Sequence, residues 1–413
     1  MMLSFKGGCK EIGRSAILID RQVYFDYGLK TGDNIQFPYD DIKPRAALIT
    51  HAHLDHCGAV PSLVSVQPEI FMTPPTFSLL NLLAEDTLKI AEQMGRYMPF
   101  DYRDLDMLRN DAILVDYDTE FNILDYKTFF LNAGHIPGSS SIYFEDEKNS
   151  KSIFYTGDIN TANTRLINPA SDFPSADTLI LESTYFDEEH PSRKETERKF
   201  IESVQETLDI GGNVIIPAFA IGRTQELVML LDAYNNHPFI DGMGIRAFDL
   251  LKEHPNYLRN LTHLKRAFRN STFVDSKKRH KVPLENSVIV TTSGMLNGGP
   301  VMYYIDKLHK DPKTKLILTG HQVAGTNGHM LLESGNIINK GKMQKINNVI
   351  EQFDFSAHCG DNELKSMVKH FCDNGTENIF VVHGENTDEF AAWIKNETGV
   401  SSFAPANGEN YVI

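Results

Sequence analysis

Short apolar runs broken by charged or turn residues open the chain, and they predict strands over 15–19 and 23–26. A continuous apolar run predicts a buried strand over 46–50, which ends directly before the sequence HAHLDH. Helices are predicted over 77–94 and 102–109. Further strands are predicted over 128–132, 141–144, 152–156 and 178–181. The first part of the chain is therefore expected to consist mainly of short strands.

The pattern changes after residue 185. A long charged helix pattern is followed by alternating strands and helices, and the last two strands each end in a glycine-containing turn. The predicted elements are a helix over 191–211, a strand over 213–217, a helix over 223–233 and strands over 287–292 and 315–319. Strands that alternate with helices predict a parallel sheet flanked by helices.

Strand and helix segments that carry histidines return after residue 352. The middle of the chain is therefore predicted to be an insertion that divides a first domain into two pieces. We expect the first domain to comprise residues 1–185 and 353–413, and the inserted domain to comprise residues 186–352. The length of 413 residues agrees with two domains, because single cores seldom grow beyond about 250–300 residues.

Composition and charge narrow the function classes. No apolar run approaches the roughly 18 residues that span a bilayer, and residues 1–8 lack an apolar leader, so we expect a soluble cytoplasmic protein with no membrane partner. The net charge of −15 is uneven, because residues 186–352 hold 22 Lys and Arg against 19 Asp and Glu, while the rest holds 18 against 36. The middle segment is the better candidate for contact with phosphates.

Four cysteines without a CxxC pair are expected to be packing residues: Cys9, Cys57, Cys359 and Cys372.

The strongest chemical signal is the cluster of His51, His53, Asp55 and His56. In an extended segment alternate side chains point to one side, so the first three share a face, and a turn brings His56 to the same cavity. Imidazole and carboxylate are ligands that Zn²⁺ accepts, and a catalytic zinc takes three from the protein. Four such groups within six residues therefore indicate two metals. The alternative is a loop of solvated histidines, which the preceding buried strand disfavours.

Four more ionisable residues follow apolar runs: Asp26, His135, Asp158 and His383. Singly, each is more often a structural residue than a ligand. Together they support one another, because strand ends in a sandwich converge on one rim.

In order and context, Asp26, the cluster over 51–56, His135 and Asp158 resemble the first four motifs of the metallo-β-lactamase superfamily. The resemblance implies an α/β fold, the αββα sandwich, with two Zn²⁺ per chain. The ligands that it implies for one zinc are His51, His53 and His135. The ligands that it implies for the other are Asp55, His56 and His383. Asp158 would bridge the two metals, and Asp26 would orient the histidine loop.

The middle segment resembles the β-CASP branch of this superfamily, whose members act on nucleic acids. Residues 213–230 read NVIIPAFAIGRTQELVML, and SGM at 293–295 and GHQVAGT at 320–326 each follow a predicted strand. The resemblance is strongest to archaeal and bacterial relatives of the endonuclease subunit of the cleavage and polyadenylation specificity factor. His321 departs from the pattern, because relatives often carry tyrosine there.

Glu182 in LESTY matches motif A of the branch, His358 in FSAH matches motif B, and His383 matches motif C. Histidine at motif C is typical of the RNA-acting members, so the resemblance implies RNA, expected to be single-stranded. No RNA-binding KH domain precedes the first motif, unlike in some archaeal relatives. RNA targeting is therefore expected to come from the insertion or from a partner. A homodimer and an association with other RNA-processing proteins both stay open.

The resemblance implies metal-dependent hydrolysis of RNA phosphodiester bonds, in RNA processing or decay. Two metals about 3.5–4 Å apart can clamp the phosphate oxygens and generate hydroxide near neutral pH. We expect Asp158 or Asp55 to orient that hydroxide. We expect His358, kept charged by Glu182, to protonate the departing 3′ oxygen. Cleavage is expected to be endonucleolytic and to leave 3′-hydroxyl and 5′-phosphate ends.

Substrate contacts are expected in the middle segment. The candidates are Arg223, Ser293, His321, Gly325 and Thr326. Backbone N–H groups at Ser293 and in the turn of Gly325 and Thr326 could receive a phosphate, whereas Arg223 could instead pair with a carboxylate. A basic stretch over 259–281 could line a groove between the domains or form a solvated helix face.

Three alternatives remain at this point. A 5′–3′ exonuclease of the same fold would use the same residues, although His383 disfavours a DNA substrate. A small-molecule hydrolase is disfavoured by the inserted domain, because a small substrate needs no long cationic groove. A non-catalytic scaffold subunit is disfavoured by the intact set of ligand residues.

Overall fold

The computed structural model describes residues 1–32, 34–39 and 42–413. Across these residues the strands are, in chain order, β1 (Met2–Gly7), β2 (Ala16–Ile19), β3 (Val23–Phe25), β4 (Ala46–Ile49), β5 (Glu69–Met72), β6 (Ile113–Leu114), β7 (Phe121–Ile123), β8 (Tyr126–Asn132), β9 (Ser140–Asp146), β10 (Lys151–Tyr155), β11 (Thr178–Glu182), β12 (Val214–Pro217), β13 (Phe239–Asp241), β14 (Thr272–Phe273), β15 (Val288–Thr291), β16 (Lys315–Leu318), β17 (Asn336–Asn339), β18 (Lys342–Lys345), β19 (Val349–Gln352), β20 (Asn378–Val382), β21 (Ser401–Phe403) and β22 (Asn410–Val412).

The α-helices are α1 (Leu54–Cys57), α2 (Val60–Leu63), α3 (Pro74–Met94), α4 (Tyr102–Asp111), α5 (Arg193–Asp209), α6 (Arg223–Ala233), α7 (Gly244–Leu251), α8 (Leu261–Asn270), α9 (Val301–Leu308), α10 (Asn327–Ser334), α11 (Asp361–Asp373) and α12 (Thr387–Thr398). The predicted helix over 77–94 begins three residues earlier, because Thr73 caps it by accepting the amide hydrogen of Thr76. No helix formed by the described residues is both long and apolar enough to cross a membrane.

The described chain divides into two compact units. The first unit consists of Met1–Asn163, Asn168–Glu189 and Ala357–Ile413, and the second of Thr164–Ile167 and His190–Ser356. The second unit is thus inserted into the first.

The unit boundaries differ from the predicted range 186–352 by four residues at each joint. Phe186 belongs to the first unit, because its ring stacks on that of Phe390, with centroids 4.4 Å apart. Phe355 belongs to the second unit, where it packs edge-on against Phe200 at 5.2 Å. The short stretch Thr164–Ile167 was not predicted to leave the first domain.

The first unit is a sandwich of two mixed sheets with helices on both outer faces. The strand orders are β22-β1-β2-β3-β4-β5-β6 and β21-β20-β11-β10-β9-β8-β7. Large buried side chains fill the space between the sheets, including Phe5, Phe25, Phe130, Phe144 and Phe380. Apolar residues of α2, α3 and α4 pack on the first sheet, and those of α11 and α12 pack on the second. The predicted αββα sandwich is confirmed.

The second unit is built on a sheet of order β14-β13-β15-β12-β16-β19, whose pairings are all parallel. Residues of α5, α6 and α8 pack on one face, and residues of α9 and α10 pack on the other. Strands buried on both faces read as continuous apolar runs, as β12 and β15 do. The predicted parallel sheet flanked by helices is confirmed.

Candidate active site

Five strands of the first unit end at chemically active residues. β3 is followed by Asp26, β4 by Thr50 and His51, and β20 by His383. β11 ends at Glu182, and β10 leads through Thr156 and Gly157 to Asp158. β3 and β4 are parallel neighbours, and β10, β11 and β20 are parallel neighbours in the other sheet. The carboxyl ends of parallel strands lie at the same edge of a sheet. Residues that directly follow such strands in the sequence therefore lie close together.

Backbone conformation fixes how the chain leaves two of these strands. Asp26 and His383 have φ angles of 59° and 51°, in the left-handed region that few side chains adopt. Gly157 also has a positive φ, of 53°, and a Cβ there would lie 3.0 Å from Cβ of Thr50. Such strain persists where the surrounding structure holds it in place, and it is common at functional sites.

Asp26 is a buried acceptor that orients the histidine loop. Its Oδ1 accepts the amide hydrogen of Thr50 at 2.8 Å, and its Oδ2 lies 2.7 Å from Nδ1 of His56 and accepts from the Tyr155 hydroxyl at 3.0 Å. With Nδ1 of His56 bound to this carboxylate, Nε2 of the ring points to the opposite side.

One group of potential ligand atoms comes from His51, His53, His135 and Asp158, whose atoms lie within 4.8 Å of one another. Nδ1 of His53 is 3.0 Å from Nε2 of His135. Oδ2 of Asp158 is 3.4 Å from Nε2 of His51 and 3.7 Å from Nε2 of His135. Nδ1 of His135 lies 2.8 Å from the carbonyl oxygen of Ala357, which leaves Nε2 to face the group.

A second group comes from Asp55, His56 and His383. Nε2 of His383 lies 3.2 Å from Nε2 of His56 and 3.3 Å from Oδ2 of Asp55. Oδ1 of Asp158 faces this group, at 3.1 Å from Nε2 of His56. Asp158 therefore presents one carboxylate oxygen to each group.

The donor set fits metal ions. Zn–N bonds of about 2.0–2.1 Å place tetrahedral ligand atoms roughly 3.3 Å apart, close to the nitrogen–nitrogen distances of 3.0 and 3.2 Å. Nε2 of His51 and Oδ1 of Asp158 are buried without a hydrogen bond to any described residue, although His56 is near the latter. Buried polar atoms are seldom left unpaired, so these two atoms point to a missing electrophile. The two groups of residues could therefore hold metal ions.

Electrostatics favour the neutral, metal-binding form of His51, His53 and His135, and the charged form of His56. Burial and the neighbouring imidazoles lower the pKa of His51 and His135, and they lower the pKa of His53 to about 3. A neutral imidazole keeps the lone pair that a metal takes. For His56, burial lowers the pKa, but the carboxylates of Asp158 and Asp26 outweigh it and raise the pKa above its usual range.

Glu182 and His358 form a pair beside the two groups. Nδ1 of His358 is 2.9 Å from each carboxylate oxygen of Glu182, and its Nε2 is 3.9 Å from Oδ2 of Asp158. Burial lowers the pKa of His358, but the charges of Glu182 and Asp158 raise it further, to about 9. The ring is therefore an imidazolium near neutral pH, with Nε2–H directed toward the ligand groups.

Asp158, Glu182 and His358 could be taken for a third metal site, because their ligand atoms also lie close together. The hydrogen bonds argue against that interpretation. Glu182 accepts the amide hydrogen of Ile159 at 2.7 Å and the hydroxyl hydrogen of Thr184 at 2.6 Å, in addition to binding His358. Its oxygens are already occupied by donors.

Three family models match the chain: the metallo-β-lactamase superfamily over residues 25–203, the Beta-Casp domain over 224–331 and the Zn-dependent metallo-hydrolase RNA specificity domain over 343–405. "RNase aCSPSF2" of Saccharolobus solfataricus is 35% identical over 98% of this chain and 84% of its own length. "Probable RNase MJ4" of Methanocaldococcus jannaschii is 34% identical over 99% of both chains.

The chain belongs to the β-CASP branch of the metallo-β-lactamase superfamily. It is a metal-dependent hydrolase of that branch, and the predicted family is confirmed. A crystal structure of a protein of unknown function from Enterococcus faecalis V583 shares the fold, with a TM-score of 0.63 at 13% identity, over 100% of this chain and 99% of the other.

The predicted substrate residues all lie in the β-CASP unit. Two of their loops are neighbours, because the amide of Gly328 donates to the carbonyl of Met295 at 3.0 Å. The Ser293 hydroxyl donates to the carbonyl of Gly298 at 3.3 Å. The Thr326 hydroxyl caps α10 by donating to the carbonyl of Val323 at 2.6 Å and accepting from the amide of His329. The hydroxyls of Ser293 and Thr326 therefore have structural partners.

The other three predicted substrate residues keep different surroundings. His321 is exposed on the turn after β16. Gly325 has a φ of 83° and open space where a Cβ would lie. Arg223 begins α6, where its guanidinium lies beside Gly320 and its charge lowers the pKa of Asp354.

The basic stretch is only partly available for substrate. Arg259 donates to the carbonyl of Thr164 at 2.6 Å, Arg266 donates to Asp232 at 2.9 Å, and Arg279 binds both oxygens of Asp241. The exposed cations of the stretch outside these three contacts are Lys265, Arg269, Lys277, Lys278 and Lys281. The sequence does not distinguish these two sets, because the acceptors of the three engaged arginines lie about 30 to 100 residues away along the chain.

Two threonines beside the ligand groups were missed. The Thr50 hydroxyl donates toward Asp26 at 2.9 Å and lies 3.0 Å from Nδ1 of His51. The Thr184 hydroxyl donates to Glu182 and lies 3.2 Å from Nδ1 of His383. Thr50 directly follows β4, and Thr184 comes two residues after the motif carboxylate Glu182. These positions in the sequence were the available sign that the two threonines lie at the site.

Proposed function

We propose that this chain is a two-zinc endoribonuclease that hydrolyses RNA phosphodiester bonds and leaves 3′-hydroxyl and 5′-phosphate ends. The observation that carries the proposal is the position of Asp158. Its Oδ2 faces His51 and His135, while its Oδ1 faces His56, so one carboxylate serves two separate ligand groups. Such sharing suits two metals held side by side.

Zinc is the metal that the ligand chemistry supports best. Nitrogen from histidine dominates both groups, with carboxylate oxygen completing them, which is the donor set of catalytic zinc sites. We assign His51, His53 and His135 to one zinc and Asp55, His56 and His383 to the other, with Asp158 between them. When bound, the two zincs would polarise the phosphate and lower the pKa of water.

Sequence similarity to known proteins supports RNA as the substrate. Both similar archaeal proteins are named as RNases, and residues 343–405 match an RNA specificity domain. His383 supports RNA further, because its Nε2 lies 3.2 Å from Nε2 of His56 and 3.3 Å from Oδ2 of Asp55, which suits the ligand role that we assign to the motif C histidine of RNA-acting members.

The residues of the chain divide the remaining work. Asp55 and Asp158 supply the negative charge that orients the attacking water. His358 holds one proton on Nδ1 against Glu182 and a second on Nε2, which faces the ligand groups. The departing 3′ oxygen would take the Nε2 proton, and Glu182 would stabilise the imidazolium before transfer.

The experiment is digestion of a circular single-stranded RNA and of the same RNA as a 5′-labelled linear molecule, followed by mapping of the product ends. An endonuclease cuts the circle and leaves a 5′-phosphate at the new end. A circle that survives while the linear RNA is degraded stepwise from the 5′ end would overturn the endonuclease assignment in favour of a 5′–3′ exoribonuclease. Resistance of both RNAs in the presence of zinc would overturn ribonuclease function itself.

A further inference from the structure

Thr184 lies between the two parts of the site, the Glu182–His358 pair and the ligand group of His383. Its hydroxyl oxygen is 2.6 Å from Oε2 of Glu182 and 3.2 Å from Nδ1 of His383. All of these residues belong to the first unit.

The hydroxyl has one proton, and the distances decide where it points. The carboxylate oxygen of Glu182 at 2.6 Å and the carbonyl oxygen of His383 at 3.3 Å are both within reach of this proton. The shorter distance to an ionised carboxylate is typical of a strong O–H···O⁻ hydrogen bond, so the proton lies toward Glu182. The oxygen can then only accept from His383. Nδ1 of His383 must therefore carry a hydrogen, because two lone pairs would otherwise face each other at 3.2 Å.

A histidine protonated on Nδ1 has its free lone pair on Nε2. Nε2 of His383 is the atom that lies 3.2 Å from His56 and 3.3 Å from Asp55. The Thr184 hydroxyl at 3.2 Å, together with Oδ1 of Asp158 at 3.5 Å from Nδ1, thus favours the tautomer that presents Nε2 to the ligand group.

The same hydroxyl also holds Glu182. The carboxylate is 1% exposed, and two backbone amides also donate to it: that of Ile159 to Oε1 at 2.7 Å and that of Thr184 to Oε2 at 3.4 Å. Donors on both oxygens keep the carboxylate plane in the orientation that reaches Nδ1 of His358 with each oxygen at 2.9 Å.

We propose that Thr184 is a positioning residue that couples metal binding at His383 to the orientation of the Glu182–His358 pair. The proposal deepens the proposed function and rests on it, because it concerns the same site. Removing the hydroxyl should weaken one metal site and misplace the proton donor at the same time.

The test compares the zinc affinity of the wild type with those of Thr184→Val, Thr184→Ser and Thr184→Ala, by competition with a chelator of known affinity. Thr184→Val, nearly isosteric without the hydroxyl, should bind one of two zincs about 10–100-fold more weakly, the usual effect of removing a partner of a ligand histidine. Thr184→Ser should stay close to wild type. Thr184→Ala serves if the valine variant does not fold.

Thr376→Val is the matched control. Its hydroxyl is also buried in the first unit, but among the residues that the structure describes it donates only to the carbonyl oxygen of Ala176, at 2.7 Å. This variant should bind both zincs as the wild type does. Equal weakening in Thr184→Val and Thr376→Val would overturn the proposal, because the effect would then be a general cost of losing a buried hydroxyl.

Cleavage with saturating zinc is the second readout. Thr184→Val should still cut RNA more slowly, and its loss should shrink on a nitrophenyl phosphodiester, whose leaving group needs no proton. Zinc affinity unchanged in both Thr184→Val and Thr184→Ala would contradict the coupling whatever the RNA result. A wild type that binds two zincs but cuts no RNA would contradict the proposed function instead, while the zinc comparison would still decide the role of Thr184.

Discussion

Nδ1 of His358 lies 2.9 Å from both carboxylate oxygens of Glu182, so the carboxylate holds one nitrogen of the ring while the other faces the metal-binding residues. On that side, Nε2 lies 3.9 Å from Oδ2 of Asp158. A proton on Nε2 therefore stands where a leaving group on a bound phosphodiester would need it.

The first prediction is that His358→Ala keeps both zincs and loses about 10²–10⁴-fold in the rate of RNA cleavage, the usual contribution of a positioned acid. On a nitrophenyl phosphodiester the loss should be much smaller, because that leaving group departs without a proton. Single-turnover rates on both substrates provide the measurement. His370→Ala, an exposed histidine of the same unit, is the control and should match the wild type. Loss of zinc, or equal impairment on both substrates, would make His358 a ligand or a binding residue.

The second prediction concerns the pH dependence. The pKa of His358 is about 9, because the charges of Glu182 and Asp158 outweigh burial. An acid works only while it is protonated, so the rate should fall as pH rises through this pKa. Bound zinc would lower this pKa in the wild type and in each variant alike, so the pH profiles are compared with one another.

Glu182→Gln removes one of the charges that raise the pKa of His358. The alkaline limb of the profile of log kcat against pH should move about one to three pH units lower, as is usual when an opposite charge is lost. Glu377→Gln, which removes a surface carboxylate paired with Lys151, should leave the limb in place. An alkaline limb that does not move in Glu182→Gln would contradict the assignment of His358 as the acid.

The third prediction concerns the stability of the second unit. The buried carboxylate of Glu226 accepts the amide hydrogens of Arg165 and Leu166, at 2.9 and 2.8 Å, and binds Arg193 at 2.8 Å. Glu226→Ala leaves these donors without their acceptor and should lower the free energy of unfolding in urea by about 3–5 kcal/mol. Glu195→Ala breaks an exposed pair with Arg198 and should cost less than about 1 kcal/mol. Similar costs for the two variants would refute the role of Glu226.

Local pattern sufficed to locate the site because its residues follow strands. His51 and Asp158 each come shortly after an apolar run, and the parallel strands bring their ends to one edge. Long-range partners have no such signal. Thr164–Ile167 joins the second unit through Glu226, about 60 residues away, and no pattern around residue 164 indicates it. Likewise, the sequence around Thr326 did not indicate that its hydroxyl caps α10 by accepting the amide hydrogen of His329.

The arrangement of two ligand groups around Asp158 is tested most directly by native mass spectrometry of the wild type and of Asp158→Ala, each expressed with ample zinc. Because Oδ1 and Oδ2 of Asp158 serve different groups, the wild type should carry two zincs per chain, and Asp158→Ala should lose occupancy at both sites. A wild type with one zinc or fewer, or an Asp158→Ala variant that retains two zincs, would contradict the two-metal centre.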